Sequence, residues 1–341
     1  MLTPVLHRSC VRLAPFAGTL KRHVTQRQHL LAMPIHRSAS NKVTLPEPYD
    51  TMTLPYGRTL SWSEAGDPNG DPHFLFHGHP GSRLDVFSFK KLGRRLNIRL
   101  IAPDRPGMEP RAPPWDRPLR GPRRLGGGPY ALACALTIPD TTLTGVGLVS
   151  SASPCEAATG EDRKSGWWKT LLDFAKTPCP SLTAWIWEQL VGYVVRDTLT
   201  EKGRWMWDDR MARKAKKVVR PGEAVRELSP EQKTPEAIAK RREWQMRKLV
   251  EPMAEGARGL VRDAYLIEHP WGLRLEDVRY KPKIQIFHGA KDAIVPVGGV
   301  YYMRERLPHW RMIVKGKDNH YSIWQHGEDI LTKIMKRHRE Q

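Results

Sequence analysis

The spacing of hydrophobic and polar positions changes period in a regular order along the chain. Residues 50–55 and 58–64 alternate on either side of Tyr56-Gly57, which predicts an antiparallel hairpin. The apolar run 72–76 predicts a buried strand, residues 84–96 have helical spacing, and 99–102 read as another strand. A helix start follows at Gly126-Gly127-Gly128-Pro129, where proline suits the first turn. Residues 144–150 predict a further core strand. From about Ser165 to Glu268 the pattern is helical, rich in tryptophan and charge, and punctuated by proline and glutamate between Arg220 and Pro235. Two last strands are expected over 284–288 and 311–314. Strands alternating with helices place the chain in the α/β class, with a mostly parallel sheet, helices on both faces and a helical insert.

Chemistry-bearing residues sit where these elements end. The run Ile284-Gln285-Ile286-Phe287-His288-Gly289-Ala290-Lys291-Asp292 finishes in an acid, and Asp318-Asn319-His320-Tyr321-Ser322 places a histidine 28 residues later. Phe74-Leu75-Phe76 runs into His77-Gly78-His79-Pro80-Gly81, a strand-to-loop turn of the kind that aims backbone N–H groups at a developing oxyanion. Ile101-Ala102-Pro103-Asp104-Arg105-Pro106-Gly107 and the stretch from Glu255-Gly256-Ala257-Arg258-Gly259 to Pro270-Trp271-Gly272 complete the set.

In content and in order these residues resemble the α/β-hydrolase superfamily, in which an acid precedes the catalytic histidine and the nucleophile comes earlier. The resemblance runs from about Leu45 to the C-terminus. It implies Asp292 as the acid, His320 as the base, and the N–H groups of His79 and Gly126 as the oxyanion hole. It also implies a leader over 1–46, core segments over 47–152 and 271–341, and a helical cap over 153–270.

The same resemblance exposes a defect. The nucleophile belongs immediately before the glycines, where this chain has Leu125; no Gly-x-Ser-x-Gly occurs, and no aspartate nucleophile replaces it. Residues 108–125 hold five prolines (Pro110, Pro113, Pro114, Pro118, Pro122) and five arginines without apolar alternation. A helix and a central strand need roughly 20 to 25 residues here, and proline removes a ladder donor that a central strand requires. The expectation is a disrupted central strand that leaves a gap with unpaired edges. The stretch is expected to be foreign to the fold, through a mispredicted exon, a frameshift or a genuine deletion, and three readings follow: a hydrolase of small ester or amide substrates whose sequence is damaged; a catalytically inactive ligand-binding member; or an unstable product.

Composition narrows the partners. The net charge of +20 is concentrated in residues 1–46 (seven basic, no acidic), 105–124 (six against two), 204–248 (fourteen against seven) and 331–341 (four against one), so the core is close to neutral. No nucleic-acid motif accompanies it, and a solvated basic cap face is the expected origin, with attraction to anionic membrane or substrate the alternative. Arginine, serine and histidine without acid before Glu47 fit a mitochondrial transit peptide, against a cytoplasmic protein with a disordered leader or a start at Met33. Cys10, Cys134, Cys155 and Cys179 have neither metal nor disulfide spacing. Gly126-x-Gly128-x-x-Ala131 lacks the preceding strand and following acid of a dinucleotide site, so no cofactor is expected. The apolar stretch 182–195 is too short to span a bilayer. A small-molecule substrate or ligand is the expected partner.

Overall fold

Eight strands are present among the described residues: β1 (Arg8–Leu13), β2 (Asp50–Thr53), β3 (Thr59–Gly66), β4 (Asp71–Phe76), β5 (Ile98–Pro103), β6 (Leu143–Val149), β7 (Ile284–Gly289) and β8 (Trp310–Lys315). The computed structural model describes residues 8–13, 49–55, 57–108, 127–157, 180–217, 230–254 and 256–335. The strands form one sheet in the order β2-β3-β5-β4-β1-β6-β7-β8. Only β1 and β3 run against the other six, so the sheet is mostly parallel.

The strands read from apolar spacing all form, with ends shifted by up to two residues. β6 and β7 are buried at every position, as expected of parallel strands covered on both faces. β5 instead alternates between buried and half-buried positions. The expected helix over 84–96 is split into a 3-10 stretch, Arg83–Phe89, capped by the Ser82 hydroxyl, and a short α-helix, Lys90–Arg95.

Helices cover both faces. On one, the helix Gly127–Thr137 and the helix Val297–Arg306 pack through Leu132, Val300 and Met303 onto Leu148 and Ile286. On the other, Val86, Ile330 and Leu331 close over Leu75, Leu100 and Phe287. Burying each such side chain contributes about 1.5–3 kcal/mol. Within 153–270 the described helices are Pro180–Asp197, Glu201–Lys217, Pro235–Val250 and Arg258–Glu268, and Trp187, Val191, Leu249, Met253 and Leu260 form a separate apolar cluster among them. None of the described helices is long and apolar enough to cross a membrane.

The centre of the sheet departs from expectation. Residues 109–126, which hold nearly all the proline-rich stretch together with Leu125 and Gly126, lie outside the described residues. Yet no gap separates β4 from β6, because β1 lies between them and pairs antiparallel with both. Ser9 to Arg12 face Phe76 to His73 on one side, and Arg8 to Arg12 face Val149 to Gly145 on the other. The expected pair of unpaired edges is therefore corrected: six residues from the segment read as a leader supply the missing rung. The physical reason is that interior N–H and C=O groups on β4 and β6 need partners, and an extended segment of either direction provides them.

A cleaved presequence and a sheet strand are competing uses of residues 8–13. Deletion of residues 1–13 is expected to abolish a single cooperative thermal transition, and Val11→Pro, opposite Phe74 and Val146, to cost about 1–3 kcal/mol through a lost ladder bond. Calorimetry on both variants checks this, and an unchanged midpoint in the deletion overturns the structural role of β1.

Candidate active site

Because β4, β6, β7 and β8 run in one direction, the loops that follow them leave the same edge of the sheet. After β7 the chain turns through Asp292, whose N–H donates to Gly289 O. After β8 it turns through His320. The two turns touch closely: a Cβ on Gly289 would fall 2.5 Å from Asp318 O, so only glycine allows this approach. Lys291 N also donates to Asp318 O at 2.8 Å, tying the two turns together.

This brings together the acid and base read from the sequence. His320 Nδ1 lies 2.8 Å from Asp292 Oδ2, and both residues are buried. Asp292 Oδ1 accepts from the N–H groups of Ile294 and Val295, each at 2.9 Å. Burial by itself pushes the Asp292 carboxyl up, but the hydrogen bond and charge of His320, with His288 and the Val295 amide, outweigh it and hold Asp292 below the usual carboxylate range. The His320 turn is fixed in turn by Asn319 Oδ1, which accepts from the N–H groups of Tyr321 and Ser322, and by Asp318, which accepts from Ser322 Oγ and faces His326 Nε2, both at 2.8 Å.

A second histidine stands behind the acid. His288 Nε2 is 2.9 Å from Val295 O and 3.5 Å from Asp292 Oδ2. Burial pushes its pKa down, so it stays neutral and donates that N–H. The sequence showed His288 only as a strand-end residue; its link to Asp292 depends on how the following turn folds back.

The head of the Gly127–Thr137 helix reaches the same edge. A Cβ on Gly128 would fall 1.6 Å from Ser151 Oγ, just beyond β6, so the missing side chain sets how closely this helix approaches. Leu125 and Gly126 lie outside the described residues. Two serines here were not singled out from the sequence. Ser150 is fully buried at φ 43, a strained value for a side-chain-bearing residue, and Ser151 Oγ donates to Ala152 O at 3.0 Å.

His79, on the loop after β4, is buried, and its Nδ1 lies 2.9 Å from Asp263 Oδ2 on the Arg258–Glu268 helix. Arg105 donates to the same carboxylate and to His77 O. Burial raises the Asp263 carboxyl, but Arg105 and His79 more than reverse this and hold it low. His77 is driven down to about 3, first by burial and then by the Arg105 charge. A parallel network begins at Arg83, which is 2 % exposed. It donates to Asp104 Oδ2 at 2.6 Å and to Glu251 Oε1, while Asp104 also accepts from Ser61 Oγ and from Arg83 N. These two buried cations join the loop regions after β4 and β5 to the helical segment.

The strand order, the helices on both faces, and an acid and histidine on the turns after β7 and β8 are together decisive. This is an α/β-hydrolase fold. No family model matches the sequence, and no curated protein sequence matches it either. Among solved structures, the chain is similar to an esterase from Exiguobacterium antarcticum (14% identity, TM-score 0.48, 85% of this chain and 99% of that one). It is also similar to an alpha/beta hydrolase fold protein from Nakamurella multipartita (15% identity, TM-score 0.46, 83% and 98%). A third is a putative aryl esterase from Burkholderia cenocepacia (14% identity, TM-score 0.45, 85% and 99%).

Two stability measurements test the buried charges of this hydrolase-fold protein. Glu251→Gln removes one of the two carboxylates facing Arg83 and is expected to cost about 3 kcal/mol in urea unfolding; a loss below about 0.5 kcal/mol, the level of an exposed pair, contradicts the network's role. His77 takes up its proton more readily unfolded, near pH 6.5, than folded, near 3, so the stability it confers is complete above about pH 6.5 and falls as pH drops toward 3. Between pH 6.5 and 4.5 this amounts to about 2–3 kcal/mol, and His77→Gln should flatten that slope whatever its effect at pH 7.

Proposed function

We propose that this protein descends from hydrolases of small ester- or amide-type substrates and, in the chain given, binds such a compound without turning it over through an acyl-enzyme. The observation that carries the reading is the buried Asp292–His320 contact of 2.8 Å. With the Nδ1 proton donated to Asp292, a neutral His320 carries its lone pair on Nε2, the atom that accepts a nucleophile's proton in such chemistry. Asp292, held ionised, favours the imidazolium formed by that transfer.

The donor of the proton is what the chain lacks. Leucine at 125 has no hydroxyl. Ser151 Oγ is engaged with Ala152 O, and Ser150 is sealed from solvent. His79 and Gly126 retain the oxyanion role by resemblance. The Asp263 contact would hold the His79 loop in place for it.

A second reading is favoured by one observation, the occupation of the central slot by antiparallel β1. A parallel strand ending in a nucleophile turn would fit the directions of β4 and β6, so residues 108–125 stand where a longer segment is expected. Sequencing the transcript across the codons for Met108 to Gly126 separates the readings: a longer in-frame insert with a serine supports altered text, and the present text supports real loss. Mitochondrial placement of the leader remains part of the proposal, and its test is whether import removes β1.

Purified protein from this sequence is expected to give no labelling with a serine-reactive phosphonate and no turnover of a chromogenic acetate above the rate of His320→Ala. Turnover that His320→Ala abolishes, or stoichiometric labelling, overturns the assignment.

A further inference from the structure

The helix Pro180–Asp197 is apolar on two opposite faces. Ala184, Trp187 and Val191 are buried against Leu249, Met253 and Leu260. The other face carries Leu182, Trp185, Gln189 and Tyr193 at successive spacings of three and four, which is one stripe of a helix. Leu182 is 53%, Trp185 56% and Tyr193 67% exposed. Beyond the stripe Leu199, in the turn, is 70% exposed, and Trp205, on the helix Glu201–Lys217, is 66% exposed. An ordinary surface helix places polar side chains there, and a patch of this kind marks an interaction surface.

Cations border the patch at helical spacing. Arg196 lies one turn beyond Tyr193, and Lys202 one turn before Trp205; both are exposed, as are the acids Asp197 and Glu201 at the turn between them. The balance favours positive charge, since the helix Glu201–Lys217, which carries Trp205, holds seven basic and three acidic side chains. We propose that this outer face of the two helices docks on the surface of an anionic lipid bilayer. Tryptophan and tyrosine rings place an apolar body and a polar N–H or O–H at the headgroup level, and the surrounding cations meet the negative surface potential. A second copy of the chain fits less well, because the same basic face would oppose itself.

Co-sedimentation of the full chain with vesicles of phosphatidylcholine, alone or with phosphatidylserine, tests the proposal. Binding is expected only to the anionic vesicles, with loss as salt rises from about 0.1 M to about 0.5 M and screening shortens. Trp185→Ser with Tyr193→Ser, or Arg196→Glu with Lys202→Glu, should weaken it roughly tenfold while leaving the thermal midpoint little changed, since these side chains are exposed. Absence of binding to anionic vesicles overturns the proposal. Binding that both double variants retain also overturns it, assigning the attraction to the basic segments 1–46 or 331–341. A concentration-dependent dimer abolished by Trp185→Ser with Tyr193→Ser overturns it too, giving the face to a second copy.

Discussion

The architecture depends on one set of backbone hydrogen bonds, those made by the strand between β4 and β6. Without β1 the sheet separates into β2-β3-β5-β4 and β6-β7-β8, with no ladder between the two parts. The division runs through the candidate site, because the His79 loop follows β4 while Asp292 and His320 follow β7 and β8. Buried amides on both facing strands require partners wherever water is excluded. Residues Arg8–Leu13 satisfy them, but in antiparallel sense. An antiparallel rung restores the hydrogen bonds, but the strand runs opposite to its two neighbours. One strand thus explains how the sheet stays continuous where a parallel strand is expected.

Buried ion pairs tie the helical segment to the core. Arg83 and Arg105 each enter the interior and find a carboxylate on a helix far along the chain, Glu251 and Asp263. Such pairs add little net stability over apolar substitutes, but breaking one leaves a buried charge exposed to the full desolvation penalty. Their effect is to fix geometry: Asp263 holds both Arg105 and His79, which ties the loop after β4 to the helix Arg258–Glu268.

What was legible in the sequence follows from the range of the interactions involved. Ile284–Gly289 and Leu143–Val149 stood out because a central parallel strand is a short unbroken apolar run. Asp292 and His320 stood out because each lies just past such a run. The Arg83 and Arg105 networks did not, since their partners lie 168 and 158 positions away, and a charge on a helix reads locally as a solvated one. β1 was hidden for a related reason. Its place is decided by the open edges of β4 and β6 rather than by its own basic composition, which reads as a leader. The 3-10 start at Arg83–Phe89 likewise coincides with contacts to Asp104 and Glu251 that no helical periodicity encodes.

A buried acid–histidine pair does not by itself imply catalysis. Asp292 is buried and carries a charge that must be answered from all sides. The amides of Ile294 and Val295 satisfy one oxygen, and His320 the other. Removing His320 would leave a buried carboxylate oxygen short of its strongest partner, a loss of about 1–3 kcal/mol independent of any reaction. The dyad therefore has a structural reason to exist: the crossing of the turns after β7 and β8, closed over Gly289, is built around it. The contact closes the two turns on each other whatever chemistry the neighbouring edge performs.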